Sequence, residues 1–146
     1  MNTFDIDLGR GKQIEEMFLE LVHKSYPLAY IVKGYFKDYD IYIPEIKKSV
    51  EVKYDKKSID TGNIVVEVEF NNKPSALSTT KADYWVWYDG VNFTIITPEN
   101  ILKCINDTNQ KLYSFIARGD DKEKKAYLIK KDLLWQYSLK QIEFKN

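Results

Sequence analysis

Cysteine occurs once in the 146 residues, as Cys104, and histidine once, as His23. A lone cysteine has no intramolecular disulfide partner, and one Cys with one His cannot assemble a tetrahedral zinc site. Disulfide-stapled and Cys/His zinc folds are therefore excluded. No run approaches the ~20 apolar residues of a membrane helix, so no membrane association is expected. Charge of neither sign is in excess: 22 Lys plus Arg balance 22 Asp plus Glu. Broad nucleic-acid affinity comes from a surplus of Lys and Arg, so the neutral total argues against a general polyanion binder but not against a local site. The opening Met1-Asn2-Thr3-Phe4-Asp5-Ile6-Asp7 has no basic segment leading into an apolar one, so no secretory signal is expected. The expected location is the cytoplasm, that of the host if the protein is viral.

Apolar material is plentiful, at 44% of residues, with 14% aromatic. At this length folding buries roughly 68–70% of the surface of the unfolded chain, which is enough for a core without staples. We expect a single domain over residues 1–146, with no internal repeat and no low-complexity segment. His23 follows an apolar helical run and reads as a surface or cap residue. Cys104, in Ile101-Leu102-Lys103-Cys104-Ile105, reads as a small buried apolar side chain.

Ile14, Phe18, Leu21 and Val22 recur at helical spacing, which predicts a helix over about 10–25 that Pro27 stops. At about 100° per residue Glu15 borders the apolar stripe, whereas Glu16 and Glu20 point away from it. Residues 30–36, 40–44, 49–54 and 63–70 are short β-branched and aromatic runs, and we expect them to form a meander of antiparallel strands. Residues 75–81 read as a short helix or turn. A hairpin of 84–88 and 92–97 turns at Asp89-Gly90, Pro98 opens a helix to about 106, and strands are expected at 112–116 and 127–129. The order implies an α/β architecture with a mixed sheet.

The chemistry concentrates in Val50-Glu51-Val52-Lys53. Strand alternation puts Glu51 and Lys53 on one face and Val50, Val52 and Tyr54 on the other. Asp40 opens the preceding strand, and a hairpin through Lys47-Lys48 brings it beside Glu51. Two carboxylates with a lysine suit Mg²⁺, which takes oxygen ligands and keeps several waters. The lysine would orient an attacking water and stabilise charge developing on a phosphate.

Asp40, Glu51 and Lys53, with ten residues between the two acids, resemble the PD-(D/E)XK nuclease superfamily, in its phage-type or Holliday-junction-resolvase-like members. Tyr39 stands where the literal motif has proline. The resemblance covers about residues 10–90, leaving 98–146 as a C-terminal elaboration. It implies a restriction-endonuclease-like αβββαβ core with a mixed central sheet flanked by helices. It also implies a metal-dependent DNA endonuclease, structure-specific or junction-resolving, with Asp40, Glu51 and Glu15 on Mg²⁺ (Mn²⁺ as substitute) and Lys53 assisting. Glu15 is the first-helix acid by its angle, with Glu16 as the fallback. By the same analogy the protein is expected to act on DNA as a homodimer. A nuclease-like fold that binds nucleic acid or protein without hydrolysis is the competing expectation.

Residues 73–85 resemble the Ser/Thr-rich turn that lies near the DNA backbone in such members. Ser78, Thr79 and Thr80 can contact phosphate or cap a helix, Lys81 is expected to meet phosphate or the site, and Asp83 reads as structural. Lys48, in a cluster with Lys47, Lys53, Lys56 and Lys57, is a further expected nucleic-acid contact. Glu67 is either an outer ligand or part of a solvated sheet face. Trp85 and Trp87 alternate with Tyr84, Val86 and Tyr88, and most of these rings should be core.

Overall fold

The computed structural model describes residues 3–35, 37–116, 119 and 121–144, with the side chains of residues 3–8 left aside. Helix α1 (Thr3–His23) precedes β1 (Tyr30–Ile31), β2 (Ile41–Ile43) and β3 (Lys48–Tyr54). Next come α2 (Lys56–Thr61), β4 (Asn63–Phe70), β5 (Lys73–Pro74) and a 3-10 turn at Ala76–Ser78. The chain continues with β6 (Tyr84–Tyr88), β7 (Asn92–Ile96) and α3 (Pro98–Asp107). It ends with β8 (Leu112–Phe115), β9 (Lys124–Lys130), α4 (Lys131–Trp135) and β10 (Lys140–Glu143). None of these helices is long and apolar enough to cross a membrane.

Among the described residues ten strands form two sheets: a six-stranded sheet ordered β1-β2-β3-β6-β7-β10 and a four-stranded sheet ordered β5-β4-β9-β8. The larger sheet is mixed, because β3 and β6 run parallel while its other pairs are antiparallel. The expected α/β class with a mixed sheet is therefore observed. The expected meander through residues 63–70 is corrected: β4 leaves the first sheet and pairs with β9, from Asn63↔Lys130 to Phe70↔Lys124. Its alternating apolar residues need a partner surface, and local pattern does not say which strand supplies it. Between β3 and β6 the chain places α2, β4, β5 and the 3-10 turn, so the crossover between these parallel strands is built largely from the second sheet.

Local chemistry explains the elements. Asp55 accepts the Ser58 N–H at 3.3 Å at the start of α2, and Gly62, at φ 73°, closes it in the left-handed conformation that a side chain resists. Thr97 accepts the Asn100 N–H at 3.1 Å at the start of α3, with Pro98 in the first turn. The expected strand over 30–36 shrinks to two residues, and the chain then bends through Gly34 at φ 125°. α2, α4 and β10 lie outside the sequence expectations.

The two faces of the larger sheet carry separate cores. On one, Ile14 and Phe18 of α1 pack with Ile41, Ile43, Val50, Val86 and Phe93, drawn from β2, β3, β6 and β7. On the other, Trp85, Trp87 and Ile96 of β6 and β7 meet Ile64, Val66 and Ile129 of the second sheet and Ile101 and Cys104 of α3. No buried member of that second cluster comes from β1, β2 or β3. The expected burial of Cys104 and of both tryptophans is met. His23 is exposed, and its Nε2 lies 2.8 Å from the Ala29 carbonyl oxygen in the turn that follows α1.

Candidate active site

On β3, Val50 and Val52 belong to the α1 side, so alternation turns Glu51 and Lys53 to the opposite face, where the second core stops short. The neighbouring strand supplies Asp40 just before β2, and its main chain joins the ladder through Asp40 N–H to the Val50 carbonyl at 2.9 Å. Asp40 is only 7% exposed. Its Oδ2 accepts the Val52 N–H at 2.7 Å, a bond that fixes the carboxylate against β3. The expected juxtaposition of Asp40 and Glu51 is observed, because the Ile41↔Val50 register sets them opposite each other on adjacent strands.

The electrostatics of this pair follow from burial. Removal from water, then the neighbouring Asp40 carboxyl, pushes the Glu51 carboxyl up to about 8, against the opposing pull of Lys53. Near neutral pH Glu51 therefore holds a proton. Glu15 of α1 also lies above the ordinary glutamate value, first through burial and then through the charge of Asp40. Glu16, one position on, is exposed, so Glu15 is the first-helix acid that faces the cluster.

Sequence reasoning missed Lys37. Its Nζ lies 3.1 Å from Asp40 Oδ1 and 3.4 Å from Glu15 Oε1, and it joins acids from two elements through one ammonium. Burial alone would lower its pKa, but Asp40 and Glu15 outweigh that, so Lys37 sits above the ordinary lysine value. The only sequence signal was its place three residues before Asp40 in an aperiodic segment. Lys53 takes a different position, with Nζ 4.9 Å from the Trp85 ring centroid, where the ring face holds the cation beside Glu51.

Lys48, Thr80 and Lys81 line one open cavity of about 400 Å³ with Asp83, Tyr84 and Glu99. Lys81 is exposed and stands 3.9 Å from Asp38. The hydroxyls have internal partners. Ser78 Oγ donates to the Val68 carbonyl at 2.7 Å, while Thr80 Oγ1 accepts the Trp85 indole N–H at 2.9 Å and the Ala82 N–H at 3.2 Å. Asp83 accepts from both Ser49 N–H and Ser49 Oγ, at 2.9 and 3.0 Å, and so ties the starts of β3 and β6 together. Glu67 lies on the second sheet, taking the Ser75 hydroxyl at 2.8 Å and standing 3.8 Å from Lys124.

The donor set at Asp40 and Glu51 is all oxygen, as a hard divalent cation requires. Among the described residues no three His, Cys, Asp or Glu side chains form a group able to hold a metal by themselves. Mg²⁺ does not need three, because one or two carboxylates complemented by water and substrate phosphate suffice. Asp40 and Glu51 stand opposite each other on adjacent strands as neighbouring oxygen donors, so the residues fit the ion. Set against protein-family models, curated proteins and solved structures, the chain matches none of them.

Proposed function

We propose that this chain is a metal-dependent DNA endonuclease with a restriction-endonuclease-like core, hydrolysing phosphodiester bonds at Asp40 and Glu51. The observation that carries the reading is the ladder register Ile41↔Val50, which sets Asp40 opposite Glu51 on adjacent strands, with Glu15 joined through Lys37 and Lys53 on the same strand face as Glu51. Asp40 and Glu51 would hold Mg²⁺, with Mn²⁺ as a substitute. When bound, the ion supplies Lewis acidity at the phosphate and lowers the pKa of a coordinated water.

The chain's own groups do the rest. The Val52 N–H keeps Asp40 oriented. Glu51 would give up its proton to solvent on becoming a ligand. The Lys53 ammonium stabilises negative charge developing on the phosphoryl oxygens, a contribution that a desolvated setting strengthens. Lys48 and Lys81 flank the route by which a DNA backbone would approach, and a homodimer would hold both strands of a duplex. Ser78 and Thr80 shape this region through their internal bonds.

Cleavage of plasmid, single-stranded and branched DNA with Mg²⁺ tests the reading. Asp40→Asn and Lys53→Ala are each expected to lose on the order of a hundredfold or more in rate, the scale of removing one preorganised electrostatic group. Equal activity in either variant overturns the assignment. DNA binding without any Mg²⁺-dependent cleavage would instead identify a non-catalytic nucleic-acid-binding module.

A further inference from the structure

The acids of the cluster already share a cation. The Lys37 ammonium lies 3.1 Å from Asp40 Oδ1, 3.4 Å from Glu15 Oε1 and 3.4 Å from the Val32 carbonyl oxygen. Its side chain is a quarter exposed and that of Asp40 9% exposed, so the contact is shielded more than a surface ion pair. Asp40 has two oxygens to offer. Oδ2 accepts the Val52 N–H, and Oδ1 is the oxygen that faces the Lys37 ammonium.

We infer that Lys37 is a resident counter-ion that competes with the divalent cation for Asp40 Oδ1, and so sets the cation concentration at which the site loads. The inference rests on Asp40 and Glu51 being the metal site. An ammonium and a divalent cation repel strongly at separations of about 4 Å inside a partly desolvated site. Filling the site therefore requires Lys37 to leave Asp40. The lysine arm has four rotatable methylenes, and the segment carrying it runs between β1 and β2 outside regular structure. Once released, the ammonium stands beside the carboxylates, where it can meet a phosphate oxygen of the substrate. Lys37 acts on the chemistry through the ion and is a positioning residue.

The test is calorimetric titration with Mn²⁺ alone, all proteins being measured in one buffer at one near-neutral pH. Wild type is compared with Lys37→Gln and with Lys103→Gln, which removes the same charge from an exposed α3 position paired with Asp107. Lys37→Gln is expected to bind Mn²⁺ about tenfold more tightly, equivalent to about 1.4 kcal/mol, and Lys103→Gln to match wild type. A second readout is reductive methylation of the wild-type protein, in which Lys37 should react several-fold faster once Mn²⁺ is saturating. Mn²⁺ affinity in Lys37→Gln equal to or weaker than wild type overturns the inference while leaving the carboxylate site standing, as does Lys37 labelling that ignores Mn²⁺. Absence of Mn²⁺ binding in all three proteins overturns the metal-site reading and the inference together.

Discussion

The two faces of the six-stranded sheet are made by the same strands and serve opposite ends. On the α1 face, apolar side chains from β2, β3, β6 and β7 form an unbroken layer, with Phe93 packed 5.2 Å from Phe18 and 4.5 Å from Tyr88 between ring centroids. On the other face the apolar layer covers β6 and β7 and ends there. Asp40, Glu51 and Lys53 occupy its margin, partly desolvated by the neighbouring core yet outside it. This margin is what raises Glu51: full exposure would leave an ordinary carboxylate, and an apolar residue there would leave no chemistry. Alternation along β3 thus lets Val50 and Val52 serve stability while Glu51 and Lys53 serve the site, one residue apart.

This division can be broken from either side. Phe93→Ala removes a fully buried ring from the continuous face and should lower stability by roughly 3–5 kcal/mol, read as a shift in the urea midpoint. A loss as small as that of a surface substitution would mean that the α1 face is not the main support of the sheet.

Glu51→Gln probes the margin through pH. The folded-state value near 8 lies above the ordinary 4.5, so between these values the unfolded chain ionises while the folded one keeps its proton. Wild-type stability therefore falls as pH rises through this window, and Glu51→Gln should gain on wild type by roughly a few kcal/mol from about pH 5 to 8. A constant difference in urea midpoint across that range would place Glu51 in water rather than at a desolvated margin.

Thr80 tests the border between the covered and open parts. Thr80→Ala leaves the Trp85 indole N–H without its acceptor and should cost roughly 1–3 kcal/mol of stability. Thr80→Ser should restore it, and DNA affinity should follow Lys81→Ala rather than Thr80→Ala. Weakened DNA binding in a Thr80→Ala protein of unchanged melting temperature would assign the hydroxyl to phosphate contact instead.

Much of the larger sheet was legible because its signals are local. The Ile14/Phe18 spacing, the alternation of β3, the Asp89-Gly90 turn and the Pro98 start of α3 each involve only a few neighbouring residues. Helical angle favoured Glu15 over Glu16 but left Glu16 as a fallback, and the partial burial of Glu15 beside an exposed Glu16 decides between them. The departure of β4 was not legible, since its partner β9 lies about sixty residues on and any strand of matching alternation would satisfy the same pattern. Lys37 was missed because the segment between β1 and β2 has no period from which to read a direction. The caps Asp55 and Gly62 of α2 were present in the sequence, but the strand-rich flanks hid them.

Which side chains share a face along each strand or helix follows from the covalent chain, because the periods of 2.0 and 3.6 residues are properties of backbone geometry. The neutral balance of charge is likewise written in the composition. The protonation of Glu51, the ammonium shared by Glu15 and Asp40 and the edge of the second core belong to the folded molecule. They depend on how much water and which charges surround each group, and those surroundings come from segments distant in the chain.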